Sequence, residues 1–308
     1  MKSNNVFTYM DTCIKKKRKL GKESTAELYH ATLTRLQAFW GKNTLRWSRV
    51  TRELVDEFRA HMEEAGLQTN TVNSYLSNFR AMYNDAVKNG TATRIAPVNP
   101  FMHLQLKREK TLKRAVSLKT IEQIARLDCK GSATRRLAID LYLFSFLACG
   151  MPLADIARLK ERNIHGNILV YNRAKTGTRV AIGISSGMRI LIERYRRQGA
   201  LYLFPVLPNK KEASHKDYKK IQRRVNECLK KIGKELNLDM KLTFYVARHT
   251  WASQAHEMDI PLAAISQALG HRSEDTTLIY LAELSQEKLN KSYEKVTKSV
   301  NCIVCASA

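Results

Sequence analysis

The sequence predicts a mainly α-helical protein of two domains, with a small antiparallel β-sheet confined to the second. Three observations predict this. Apolar residues recur at helical spacing through most of the 308 residues. One stretch, Asn167 to Ile184, instead reads as two short strands around a Thr176-Gly177 turn. A basic stretch with little apolar content between Leu106 and Arg114, within the segment 104–116, divides the helical pattern in two.

The first 22 residues include the run Lys15, Lys16, Lys17, Arg18 and Lys19, which suits either phosphate contacts or a solvated arm. Ser24 with Glu27 reads as a capping box, opening a helix through Trp40 with Leu28, Ala31, Leu36 and Phe39 inward. Thr51 opens a second helix with Leu54, Val55, Phe58 and Met62 inward, and Gly66 ends it. A third runs from Thr69 to Lys88, and Gly90, Pro97 and Pro100 interrupt any helix beyond it. Residues 1–103 are thus expected to form a helical bundle, and 104–116 a linker.

The second domain is expected over 117–290, with a tail at 291–308. Ser117 caps its first helix, and Ala133 to Cys149 is an apolar, buried one that Gly150 ends. Pro152 begins a short helix from Leu153 to Lys160. After the strands, helices are predicted at Ser186–Arg197, His215–Leu236, Thr243–Glu257, Pro261–Leu269 and Glu274–Lys288.

Charge narrows the function class. The chain carries 53 Lys+Arg against 28 Asp+Glu, a net charge of +25, which attracts polyanions and speeds their arrival. Candidate DNA contacts in the bundle are Asn70, Thr71, Asn73 and Arg80, although an exposed polar helix face explains them equally well. The linker adds Lys107, Arg108, Lys110, Lys113 and Arg114, suited to crossing a phosphate backbone or to ordinary solvation.

Other classes fit less well. The most apolar run, Leu137 to Cys149, carries Asp140 and is too short to span a bilayer, so no membrane association is expected. No secretory signal opens the chain, which points to a cytoplasmic protein with reduced thiols. Cys302-x-x-Cys305 finds no second close pair, so neither a metal nor a cofactor is expected.

The stretch richest in chemistry is Leu242 to Leu281. Arg248 lies mid-helix, His271 comes just after the helix-ending Gly270, and Tyr280 lies on the next helix, where a core tyrosine is the plain alternative. The series Arg248-His249-Thr250-Trp251-Ala252, Leu269-Gly270-His271 and Thr276-Thr277-Leu278-Ile279-Tyr280 is similar to the tyrosine recombinase (phage integrase) family. Upstream, Ala148-Cys149-Gly150, Asp155 and Leu159-Lys160 resemble its first catalytic block. Lys175-Thr176-Gly177 resembles its hairpin lysine, and residues 69–101 its core-binding domain.

The resemblance implies a two-domain fold, a helical core-binding domain and then an integrase-like catalytic domain. It also implies cleavage of double-stranded DNA without metal. Tyr280 would be the nucleophile, forming a 3′-phosphotyrosine and releasing a 5′-hydroxyl, with resealing needing no ATP. Arg248 would hold non-bridging oxygens with its planar fork. Lys175 would protonate the leaving oxygen, and His271 would hydrogen-bond a phosphate oxygen. The assembly implied is a homotetramer on two duplexes in the bacterial cytoplasm, with accessory DNA-bending proteins as further candidate partners. Integration, excision, inversion and dimer resolution stay open.

Two positions depart from the family pattern, in a way that resembles Bacteroides-type integrases. The first-block arginine is replaced by Pro152, and the position three before Arg248, usually His, is Tyr245. A missing cation at a developing dianion costs about 3–4 kcal/mol of transition-state stabilisation. Either the chemistry is lost, leaving a DNA-binding protein, or another arginine serves. Arg173 is the candidate, because i and i+2 of a strand share a face and Arg173 would lie beside Lys175. Tyr245 can donate a hydrogen bond but, with a phenol pKa near 10, is a poor base. A type IB topoisomerase is the remaining alternative.

Overall fold

In the computed structural model the described residues are 4–91, 98–107, 109, 114–129, 131–209, 213–278 and 297. The chain falls into two compact units, Met1–Thr111 and Leu112–Ala308. It is mainly α-helical with one small antiparallel sheet, as the periodicity predicts. Among the described residues no helix is long and apolar enough to cross a membrane.

The first unit packs four helices: α1 (Val6–Lys19), α2 (Glu23–Trp40), α3 (Arg52–Glu64) and α4 (Thr69–Lys88). Helix α1 is not among the elements expected from the sequence. Val6, Phe7, Met10, Cys13 and Ile14 are all buried, at the three- and four-residue spacing of one helix face. The basic run forms its last turn, where cations suit the negative end of the helix dipole. Helix α2 begins one residue before Ser24, with no side-chain cap at Lys22, so the expected capping box does not form. Its buried face is Ala26, Tyr29, Thr32, Leu33 and Leu36, and Leu28 is exposed. Helix α3 starts as predicted, with Thr51 Oγ1 accepting the Leu54 N–H.

Part of the segment predicted as a linker is anchored to this unit. Leu104 and Leu106 pack on the core of this unit. The Asn73 side-chain amide donates to the Lys107 carbonyl at 2.8 Å. Asn70 pairs with the Glu109 backbone in both directions, at 2.9 and 3.1 Å, as a neighbouring strand would.

The second unit holds α5 (Leu118–Arg126), α6 (Ala133–Leu147), α7 (Leu153–Ile156), β1 (Ile164–His165), β2 (Ile168–Asn172), β3 (Arg179–Gly183), α8 (Ser186–Tyr195), α9 (His215–Glu235), α10 (Val246–Glu257), α11 (Leu262–Leu269) and α12 (Glu274–Leu278). Helix α6 is the hub, in contact with α5, α7, α8, α9 and α10. Its one carboxylate, Asp140, is buried but satisfied by Arg194 at 2.8 Å and the Tyr195 hydroxyl at 2.8 Å. The sheet has the order β1-β2-β3, antiparallel, with Leu169 opposite Ile182 and Tyr171 opposite Val180 on the buried face.

Beyond α6 the chain reverses through Cys149 and Gly150, at φ 56° and 71°. A Cβ at Gly150 would lie 2.7 Å from Arg248 Cα, so only glycine lets α10 pack this closely.

Candidate active site

Four separate pieces of the second unit converge. Helix α10 brings Arg248, which is 1% exposed. The inward face of β2, Leu169 and Tyr171, continues past the strand's end to Arg173, also buried. Helix α11 ends at Leu269, and Gly270 takes the left-handed conformation that turns the chain into His271. A Cβ on Gly270 would meet Val180 at 2.7 Å and Arg173 at 2.9 Å. Helix α7 contributes Asp155, buried like the two arginines.

The Leu269 carbonyl is the meeting point. It accepts from Arg248 Nη2 at 2.7 Å and from Arg173 Nη1. Arg248 Nη2 also lies 2.9 Å from His271 Nε2, and Nη1 donates to the Gly150 carbonyl at 3.0 Å. His271 Nδ1 lies 2.8 Å from Thr277 Oγ1 on α12. Asp155 pairs with Arg173 Nε at 2.8 Å, and its second oxygen accepts the Ala174 N–H at 2.8 Å.

Burial and crowding set the electrostatics. His271 is pushed down to about 4 by burial and then by the positive charges of Arg248, Arg173 and Lys175, so its imidazole is neutral at pH 7. His249 is pushed down to about 4 by burial, then by Arg248 and Arg114. Burial raises the Asp155 carboxyl, against the pull of the Ala174 N–H and of Arg173 and Arg248.

The expected partnership of Arg173 with Lys175 needs correcting. The strand ends at Asn172, so the two residues do not alternate on one strand. Arg173 is turned inward and buried, whereas Lys175 lies exposed in the turn beyond the strand. Arg173 nevertheless reaches the same carbonyl as Arg248. That turn is tied to the His271 loop, because Arg272 donates to the Thr176 carbonyl.

The two departures from the family pattern are neighbours. Pro152 and Tyr245 line one cavity of about 410 Å³ together with Tyr218, Asn226 and Lys230. Tyr245 is 43% exposed, and its ring meets that of His249 edge-on at 5.1 Å.

Other candidates are dispersed. Tyr280 lies outside the described residues, as do Arg108, Lys110, Lys113, Cys302, Cys305 and nearly all of the tail. Lys107 and Arg114 are exposed, as is Thr71, and Arg80 is half-buried. Asn73 is 6% exposed, and the side chains of Asn70 and Asn73 are engaged with linker backbone. Arg272 joins the site without a signal of its own in the sequence; Thr277 stands in the Thr276-Thr277 motif, but nothing there marks it as the partner of His271.

Comparison with known proteins gives the lineage. Residues 114–287, more than half of the chain, match the phage integrase family, and residues 5–102 match the phage integrase SAM-like domain. The tyrosine recombinase XerD of Halalkalibacterium halodurans is 22% identical over 234 residues, 75% of this chain and 77% of that protein. XerA of Pyrococcus horikoshii is 28% identical over 169 residues, 53% of this chain, and the integrase of Staphylococcus phage L54a is 36% identical over 76, 24% of this chain. This chain spans only about half or less of the length of those two curated relatives, 56% and 22%. Among solved structures, the Tn1549 transposon integrase in complex with transposon right end DNA superposes with a TM-score of 0.67 at 16% identity, over 95% of this chain and 99% of that one. A lambda integrase tetramer bound to a Holliday junction gives 0.65 at 15% identity, over 90% of this chain and 77% of that one. At such identity these structures speak to the fold alone. With the family match spanning more than half of it, this chain belongs to the phage integrase family.

Proposed function

We propose that this protein is a site-specific strand-exchange enzyme that cleaves and rejoins double-stranded DNA. The phenolic oxygen of Tyr280 attacks a backbone phosphorus and releases its proton to solvent, and the bond to the 5′-oxygen breaks as Lys175 protonates that oxygen. Reversal with a different 5′-hydroxyl reseals the strand. The convergence of Arg248, Arg173 and His271 around one carbonyl is the observation that carries this proposal. Two guanidiniums held that close supply the charge neutralisation a metal would otherwise provide, with an imidazole beside them.

The remaining assignments belong to the same proposal. Arg173 takes the place of the arginine absent at Pro152, and Tyr245 supplies a hydrogen bond where the family has histidine. Residues 1–103 and 117–290 grip a duplex from two domains joined by 104–116, with Thr71, Arg80, Lys107, Arg108, Lys110, Lys113 and Arg114 at the phosphates. Four copies act on two duplexes in the bacterial cytoplasm, with DNA-bending proteins as accessory partners.

The test starts by enriching a core site from a random duplex pool with the full chain. A nicked suicide version of that site should trap the native protein covalently, and Tyr280→Phe should abolish the adduct. An adduct that survives Tyr280→Phe, or a native protein that binds the site without forming one, overturns the proposal.

A further inference from the structure

We propose that Thr277 is a positioning residue that holds His271 in its Nδ1–H tautomer, so that His271 engages a DNA phosphate only by taking up one proton at Nε2. The inference depends on the strand-exchange proposal for the identity of the ligand, but not for the tautomer.

The tautomer is dictated by what each partner can do. An arginine has only donors, so Nε2, 2.9 Å from Arg248 Nη2, must present its lone pair. A protonated Nε2 there would set one N–H against another. A neutral imidazole with a bare Nε2 carries its single proton on Nδ1. That proton points to Thr277 Oγ1 at 2.8 Å. Thr277 is fully buried.

The surroundings bias His271 further. It faces Arg248 from α10, Arg173 from the end of β2 and Lys175 from the turn after it. Asp155, the carboxylate paired with Arg173, also holds the Ala174 N–H. A second proton is therefore opposed until an anion arrives. A phosphate oxygen recruited by Arg248 then meets the Nε2 lone pair, acceptor against acceptor. One proton taken from solvent onto Nε2 turns that clash into a charge-assisted hydrogen bond. It returns to solvent when the phosphate leaves.

Thr277→Val removes the acceptor for Nδ1–H. The preference for Nδ1–H then rests on Arg248 alone, so Nε2–H gains, and once a phosphate draws Arg248 away the ring can donate from Nε2 while neutral. Thr277→Ser keeps the acceptor.

Two measurements on the full chain decide the matter. The first is nitrogen NMR of histidine-labelled protein without DNA, with His271 identified by its loss in His271→Gln. An Nδ1–H ring is expected in the wild type and in Thr277→Ser, with Nε2–H gaining in Thr277→Val; Nε2–H in the wild type overturns the proposal. The second is single-turnover cleavage of the nicked suicide duplex from pH 6 to 8, each variant read as its ratio to wild type so that Tyr280 and Lys175 cancel. Wild type should exceed Thr277→Val by about tenfold at the acid end, the effect of one hydrogen bond to a charged group. The gap should close as pH rises, and Thr277→Ser should track wild type. A deficit equal at every pH indicates a merely structural threonine and overturns the proposal. Should the wild type form no adduct, the strand-exchange proposal fails, and the ring-nitrogen spectrum still decides the tautomer.

Discussion

Asp155 and Arg173 form a buried ion pair, 2.8 Å from Oδ2 to Nε. The carboxylate's other oxygen holds the Ala174 N–H, so α7 fixes both the guanidinium and the start of the turn that carries Lys175. An arginine set this way has its remaining donors aimed by the fold rather than by chance, which separates Arg173 from an ordinary strand arginine.

Arg173→Ala should lower single-turnover cleavage by about 10²–10³-fold, the usual effect of removing one preorganised donor. Arg179→Ala, an exposed change nearby, should stay within about twofold. Circular dichroism of both variants checks that the fold persists. Equal cleavage in the two would remove Arg173 from the chemistry.

Gly150→Ala should destabilise the protein by at least about 2 kcal/mol, since it adds strain at a positive φ and forces a Cβ against helix backbone. The φ is 71°, and the approach to Arg248 Cα is 2.7 Å. Urea midpoints measure it. Gly177→Ala, also at positive φ but with nothing within 4 Å of its Cβ, should cost less.

Stability should fall with acid through a defined window. His249 and His271 sit at about 4 in the folded chain against an ordinary 6.5, so between these values the unfolded chain binds more protons. Their contribution is complete above pH 6.5 and is lost as pH falls toward about 4. In His271→Gln the decline of the urea midpoint should be shallower; an unchanged slope would contradict the burial of this imidazole.

Asn73→Ala should loosen the segment after Leu104. It removes a hydrogen bond of 2.8 Å to the Lys107 carbonyl, about 1 kcal/mol. Limited trypsin digestion should then cut at Lys107 faster than in the native chain, with the overall urea midpoint little changed.

Local rules are legible where one residue decides. Thr51 and Ser117 cap the helices their sequence positions predict, and Gly270 ends the helix before it. Helix α1 is masked in the sequence because its lysine-rich end dominates the composition, although Val6, Met10 and Ile14 stand at helical spacing. The Ser24 cap fails because Gly21, at φ 67°, turns the chain so tightly that α2 starts at Glu23. Strand β1 is two residues long, too short for any period. Within the site, side chains can be named from sequence, but the oxygens of Leu269 and Gly150 cannot, because every residue has a carbonyl. Nor can the shared cavity of Pro152 and Tyr245, which only tertiary folding brings together.

Two like charges crowd the C-terminal end of α11, and the Leu269 oxygen accepts from both. A helix terminus carries partial negative charge, so the peptide group there acts as a counterion built into the chain. The cationic pair is thereby kept assembled before any nucleic acid arrives. In the proposed reaction a phosphodiester would find both guanidiniums already gathered, displacing only a neutral dipole at the Leu269 oxygen while Arg173 keeps its Asp155 partner.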